Sequence, residues 1–138
     1  WGSSDWGSDC SAVQSQLKNV RQLRATEGAF AAILEDGSVI TWGDPDYGGD
    51  SSAVQDRLKS VKQVEATHGA FAAILTDGSV VTWGNIYGAG GNSDAVQHQL
   101  SNVCAVYGAS KAFAALLADG SVITWPDEEE AGDSSGVQ

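Results

Sequence analysis

The stretch Asp44-Pro45-Asp46-Tyr47-Gly48-Gly49-Asp50 sets three carboxylates within seven residues, the oxygen-rich composition that suits a hard cation. A calcium loop of the EF-hand kind also needs a bidentate glutamate to close it, and none follows at that spacing, so no metal is expected here. Cys10, Cys104, His68 and His98 are the other ligand types in the chain, and their spacing matches neither the CxxC nor the HxxxH pattern of a metal centre. Two free thiols are the simplest reading of the cysteines, with a Cys10–Cys104 disulfide as the alternative. The run Asp127-Glu128-Glu129-Glu130 reads as a solvated acidic loop that offers a contact to a basic partner. No nucleophile elbow, phosphate-binding loop or recognisable carboxylate pair is present, so no enzyme, no catalytic residue and no cofactor is expected.

The totals point the same way. The chain has 138 residues, which suits one modest domain, and a formal charge of −11 with only 7 Lys and Arg. Binding to a phosphate backbone draws its affinity from cationic side chains, so nucleic acid is excluded as a partner class and an anionic membrane is a poor one. The longest apolar run, Ala29 to Leu34, is the length of a strand and far short of the roughly 18 residues of a spanning helix. A soluble chain that does not span a membrane is expected, docking on a membrane complex being left open. A start at Trp1 reads as a processed form or a piece of something longer, compatible with an organelle lumen or the extracellular space, with cytosol and nucleus also open.

The elements that would position these residues are set by a repeat. Residues 7–42 align without gaps on 48–83, with 25 of 36 positions identical, and a third copy follows at 90–125. The expected organisation is a single repeat domain over 1–138, with units at about 1–41, 42–82 and 83–124 and a partial fourth at 125–138. His68 and His98 each occur in one copy only. The other copies hold Glu27 and Ser110 at the first position, and Ser15 and Asp56 at the second, so neither histidine has a shared catalytic role.

Within one unit, "AFAAILEDGSVITW" sets Asp36-Gly37 between two apolar runs, a hairpin signal for which a primed two-residue turn is expected; Asp77-Gly78 and Asp119-Gly120 repeat it. On the first hairpin strand, Phe30, Ala32 and Leu34 alternate with Ala31 and Ile33, so both faces are apolar and both must be covered. Upstream, Leu23, Val64 and Val106 mark a third strand at the side or edge of the hairpin. "SSAVQDRLKSV" offers Ser52 as an N-cap, with Val54 and Leu58 at i and i+4, which predicts a helix of about two turns. The fold class expected is mainly β: tandem blade-like repeats, each a three-stranded antiparallel sheet plus a short helix or loop, stacked as an open solenoid or a partial β-propeller.

The order of elements from Val61 to Gly91 resembles the repeats of the regulator of chromosome condensation family: the strand Val61 to Ala66, the Asp77-Gly78 turn, Trp83-Gly84 and Tyr87-Gly88. The resemblance implies propeller blades. Family repeats are longer, roughly 50 residues, and a closed ring takes about seven, so one such chain supplies a segment. The histidine that commonly opens the family's central strand is Ala29, Ala70 and Ala112 in this chain. The founding member's exchange-factor activity implies particular loops and a basic DNA-facing surface, which an acidic chain does not match. Short repeats of this kind also resemble tandem arrays in large algal proteins labelled ubiquitin-ligase-like, and no ligase domain is present.

Trp42, Trp83 and Trp125 close the hairpins and, with Phe30, Phe71 and Phe113, are expected to form the structural core of each repeat. Trp6, Tyr47 and Tyr87 lie in Gly-rich loops, and with Asp44, Asp46, Glu128 and Glu129 they are the candidates for contact with a partner. The function expected is a non-enzymatic protein-interaction or structural module, an accessory subunit or fragment of a larger assembly whose other subunits cover the repeat ends. The alternative is a small lectin-like or ligand-binding module with threefold symmetry, a β-trefoil or β-prism.

Overall fold

A computed structural model describes residues 14–85 and 90–126. It contains nine strands: β1 (Val20–Ala25), β2 (Ala29–Leu34), β3 (Val39–Gly43), β4 (Val61–Ala66), β5 (Ala70–Leu75), β6 (Val80–Gly84), β7 (Val103–Gly108), β8 (Phe113–Leu117) and β9 (Val122–Trp125). They form three separate antiparallel sheets, ordered β1-β2-β3, β4-β5-β6 and β7-β8-β9, which do not close into a ring. The mainly β, blade-like expectation holds, and the open arrangement of the described sheets does not favour the threefold closed alternative.

The register is the same in every unit, with Phe30 opposite Trp42, Phe71 opposite Trp83 and Phe113 opposite Trp125. Each such pair brings its rings into contact, with centroids 5.4–5.5 Å apart. The first strand of each sheet carries a register shift, for instance between Val61 and Gln63. That bulge explains the "VKQV" spacing: the extra residue turns Val61 and Val64, three apart, to the same buried side, which a regular two-residue alternation would forbid.

Two cores result, each between neighbouring units. Ala29, Ala31, Ile33 and Val39 of the first sheet pack on Val61, Val64, Phe71, Ala73, Val81 and Trp83 of the second. The opposite face of the second sheet, Ala70, Ala72, Ile74 and Val80, packs on Val103, Val106, Phe113, Ala115 and Trp125 of the third. A strand apolar on both faces is therefore covered on both sides by its neighbours in the stack.

Two local expectations are corrected. The Asp-Gly turns are three-residue loops rather than two-residue primed turns. Leu34 N donates to Ser38 O (2.9 Å), Gly37 N donates to Leu34 O (2.9 Å), and of the loop residues only Gly37 has positive φ, at 85°. Asp36 is free to keep negative φ because its carboxylate accepts from both Ser38 N (2.9 Å) and Ser38 Oγ (2.6 Å), which sets the turn from outside the loop. The predicted two-turn helix is a single 3-10 turn, Gln55–Arg57, preceded by Val54 with no side-chain cap. Ser52 does not cap it, since the cap position falls on Val54; Ser52 N instead donates to Asp50 Oδ1 (2.9 Å). Gln55 spends its amide on Val39 O (3.0 Å) and Ser51 Oγ (2.8 Å), tying the turn to β3, while Leu58 drops into the core and Ser60 at φ 56° redirects the chain into β4.

Candidate partner-contact surface

The loops between the first and second strands of each unit and those after the third strand share one end of the stack. Asp44 N donates to Gly28 O (2.8 Å) and Thr26 Oγ1 to Tyr47 O (2.8 Å). The corresponding Asn85 N donates to Gly69 O (2.8 Å). Successive units are linked at this end by a directional chain: Glu27 N donates to His68 O (2.8 Å), and His68 N to Ser110 O (2.9 Å). Ser110 O also lies 2.6 Å from His68 Nδ1. The residue types at the matching positions Glu27, His68 and Ser110 differ because the backbone makes the repeated link.

Of the contact candidates, Asp46 is exposed and Asp44 half-buried, its Oδ1 accepting from Asp46 N (2.9 Å) at the start of the turn Pro45–Tyr47. Tyr47 is half-buried and packs on the core, its ring lying where a Gly28 side chain would project. Trp6, Tyr87, Glu128 and Glu129 lie outside the described residues, as does Cys10; Cys104 is exposed with a free thiol. Of the core candidates, Phe71, Trp83, Phe113 and Trp125 are buried and Phe30 and Trp42 half-buried.

The tryptophans carry a link that residue type alone did not reveal. Trp83 Nε1 donates to Gly48 O (3.1 Å) and Trp125 Nε1 to Gly90 O (3.1 Å), so each indole holds the loop that leads out of the preceding unit. Gly48 has φ 98° and Phe71 against it, with Phe71 Cδ2 2.6 Å from where a Cβ would stand. Gly48 with Trp83 and Gly90 with Trp125 are thus two halves of one joint, and the recurrence of Gly and Trp 35 residues apart was the available signal.

The inner edge of the stack, where β1, β4 and β7 lie side by side, is joined by long polar side chains. Arg21 Nη2 donates to Val61 O (2.7 Å) and Arg24 Nε to Val64 O (3.1 Å). Arg24 Nη2 also pairs with Glu65 Oε2 (3.4 Å), and Glu65 Oε1 accepts from Gly108 N (3.4 Å). At the end opposite the contact loops, Asp36, Asp77 and Asp119 are exposed, and their serine partners at 38, 79 and 121 hold the carboxyls below the ordinary value by donating to the charged form.

An open depression of about 450 Å³ on the outer edge is bordered by Thr41, Asp50, Ser51, Ser52 and Gln55. Its buried hydroxyl, Ser51 Oγ, is held by Thr41 Oγ1 (2.8 Å) and Gln55 Nε2 (2.8 Å), with no histidine beside it to act as base. The same Thr-Ser-Gln triplet recurs at Thr82, Ser93 and Gln97, marking it as a strut of the repeat. Among the described residues no group of three His, Cys, Asp or Glu could hold a metal ion, and no helix is long and apolar enough to cross a membrane.

No protein-family model and no curated protein matches the chain. Solved structures do. Human WBSCR16 superposes with a TM-score of 0.57 at 21% identity over 81% of this chain and 35% of its own. Yeast RCC1 (Prp20), solved bound to Kap60, gives 0.53 at 15% over 78% and 30%. The ectodomain of the Physcomitrella patens receptor kinase CR4 gives 0.54 at 13% over 77% and 30%. The chain resembles RCC1-like repeats in fold and spans about a third of the length of these proteins.

Proposed function

We propose that the chain is a non-enzymatic protein-interaction or structural repeat module, a single repeat domain over 1–138 acting as an accessory subunit or fragment of a larger assembly. One observation carries the reading: the apolar positions that each inner sheet buries against its neighbour are partly exposed on the outward faces of the first and third sheets, at Val20, Leu23 and Val122. Apolar faces of this kind mark contact with other protein. Among the solved neighbours, yeast RCC1 (Prp20) is seen with Kap60, and the Saccharomyces cerevisiae Prp20p structure is described with binding to Gsp1p and histones. Those partners belong to those proteins; what they support here is the use of such a fold for holding protein.

The partner-contact residues proposed are Asp44, Asp46 and Tyr47, together with Trp6, Tyr87, Glu128 and Glu129, a set whose acidic character suits a basic partner. Nucleic acid and cofactors have no part in it. The test is to isolate the tagged chain under native conditions from its source, beside a variant carrying Glu27→Lys and Asp46→Lys at exposed loop positions. The expected result is a stoichiometric protein partner held by the native chain and weakened at least tenfold, about 1.4 kcal/mol, by the variant. A chain free of any partner, or one that turns over ester or peptide substrates, would overturn the reading.

A further inference from the structure

The two outward faces of the stack are unlike, and each repeats one side of an interface that the chain already makes twice. On the first sheet, Val20 and Leu23 are 43% and 52% exposed, while their counterparts Val61 and Val64 in the second unit are at 1% and 0%. On the third sheet, Val122 is 45% exposed, while its counterparts Val39 and Val80 are at 0%. Tyr107, 61% exposed, stands where Arg24 and Glu65 reach over to the following unit.

The polar series continues with the same direction. Val61 N donates to Gly37 O and Val103 N to Gly78 O, both at 3.0 Å, so Val20 N is the next donor on the first sheet and Gly120 O the next acceptor on the third. In the loop chain the order is reversed: Ser110 N is the next donor on the third sheet and Glu27 O the next acceptor on the first. Both the apolar surfaces and the hydrogen-bonding groups of one end therefore complement the other end rather than themselves.

We infer that copies of this chain associate head to tail, the β7-β8-β9 face of one copy seating on the β1-β2-β3 face of the next in the geometry of the internal interfaces. The occupant is a second copy because, among the described residues, the face that carries Val122 has the build of the surface that Val61 and Val64, the counterparts of Val20 and Leu23, already meet through Val39. Such an interface is heterologous, giving a ring where the rotation closes and a filament where it does not. The inference names a partner for the assembly proposed above and rests on that reading for the ends alone; the loop-face test is independent of it.

Complementation tests it on the purified chain. Leu23→Glu blocks one end and Val122→Glu the other, both at exposed positions, so each variant keeps its strand circular dichroism and melting transition. Sedimentation of the native chain should show a mass rising above 14.3 kDa with concentration. Each variant alone should stay at 14.3 kDa, and an equimolar mixture should form a two-chain complex and nothing larger, because one intact face remains on each partner. A native chain that stays at 14.3 kDa throughout the micromolar range, a variant that still associates alone, or a mixture that fails to pair would each overturn the head-to-tail interface. If Glu at either position costs the fold, Leu23→Ser and Val122→Ser carry the same comparison.

Discussion

At the residue scale, Phe71 and Phe30 are the same residue in the same register with different cover. Phe71 is fully buried between Gly48 and the first sheet's apolar face, and Phe30 is half-buried on the outward face. Phe71→Ala should therefore cost about 3–5 kcal/mol, through lost transfer energy and the cavity left behind. Phe30→Ala should cost about 1–2 kcal/mol, because less area leaves water on folding. Equal losses in chemical denaturation would mean that stacking does not decide the burial of these rings.

At the scale of the element, the Asp-Gly-Ser turn does two jobs, one steric and one electrostatic. Gly78 (φ 86°) and Gly120 (φ 90°) share a backbone conformation but not surroundings: a Cβ at Gly78 would lie 3.1 Å from Asn102 Cα, while one at Gly120 would meet nothing within 4 Å. Gly120→Ala should cost about 1–2 kcal/mol from the left-handed backbone alone. Gly78→Ala adds the crowding of the next unit's entry and should lower the melting temperature further; matching values would remove the turn from the interface. The electrostatic part concerns Asp36, Asp77 and Asp119, whose folded carboxyls are held below the ordinary 3.8 chiefly by the serine hydroxyls. A depressed folded value means that the unfolded chain takes up protons first, so this stability is present above 3.8 and is lost as pH falls below it. Replacing Ser38, Ser79 and Ser121 together by Ala should flatten the fall in stability on the acid side, a change visible in melts taken between about pH 5 and pH 2. An unchanged acid limb would assign the effect elsewhere.

For the whole molecule, stacking predicts a gradient of stability. Among the described residues only the second sheet has both faces against other sheets, so the amides of β5 should exchange with solvent at least about tenfold more slowly than those of β2 and β8. Equal protection in all three sheets would describe one cooperative block instead. The array is held by nearest-neighbour contacts throughout: apolar packing between sheets, the indole-to-glycine bonds at one end, and Arg21 and Arg24 along the inner edge. A surface built this way gains length and new loops by adding units, with no change to the joint between them.

Local grammar was readable from residue order, because turn chemistry and alternation act within a few residues. Val61 to Ala66 as a strand, the Asp-Gly hairpins, and the apolar two-faced strand that demands a neighbour are all local consequences of side-chain type. The turn length was set locally by Ser38 on Asp36, whereas the bulge at Lys62 and the 3-10 turn in place of a helix were decided by tertiary partners: the facing sheet that buries Val61 with Val64, and Gln55 on Val39 O. The contact loops were identifiable as loops from Gly, Pro and Asp. That Tyr47 lies against Gly28, and that Trp83 reaches the loop before it, depends on residues far apart in the chain, which no local rule encodes. The sequence by itself determined the unit and its need for cover, since hydrophobic periodicity is a property of one strand. Only the stacked structure decided which face meets which, because that choice rests on the bulge and the directional hydrogen bonds between units.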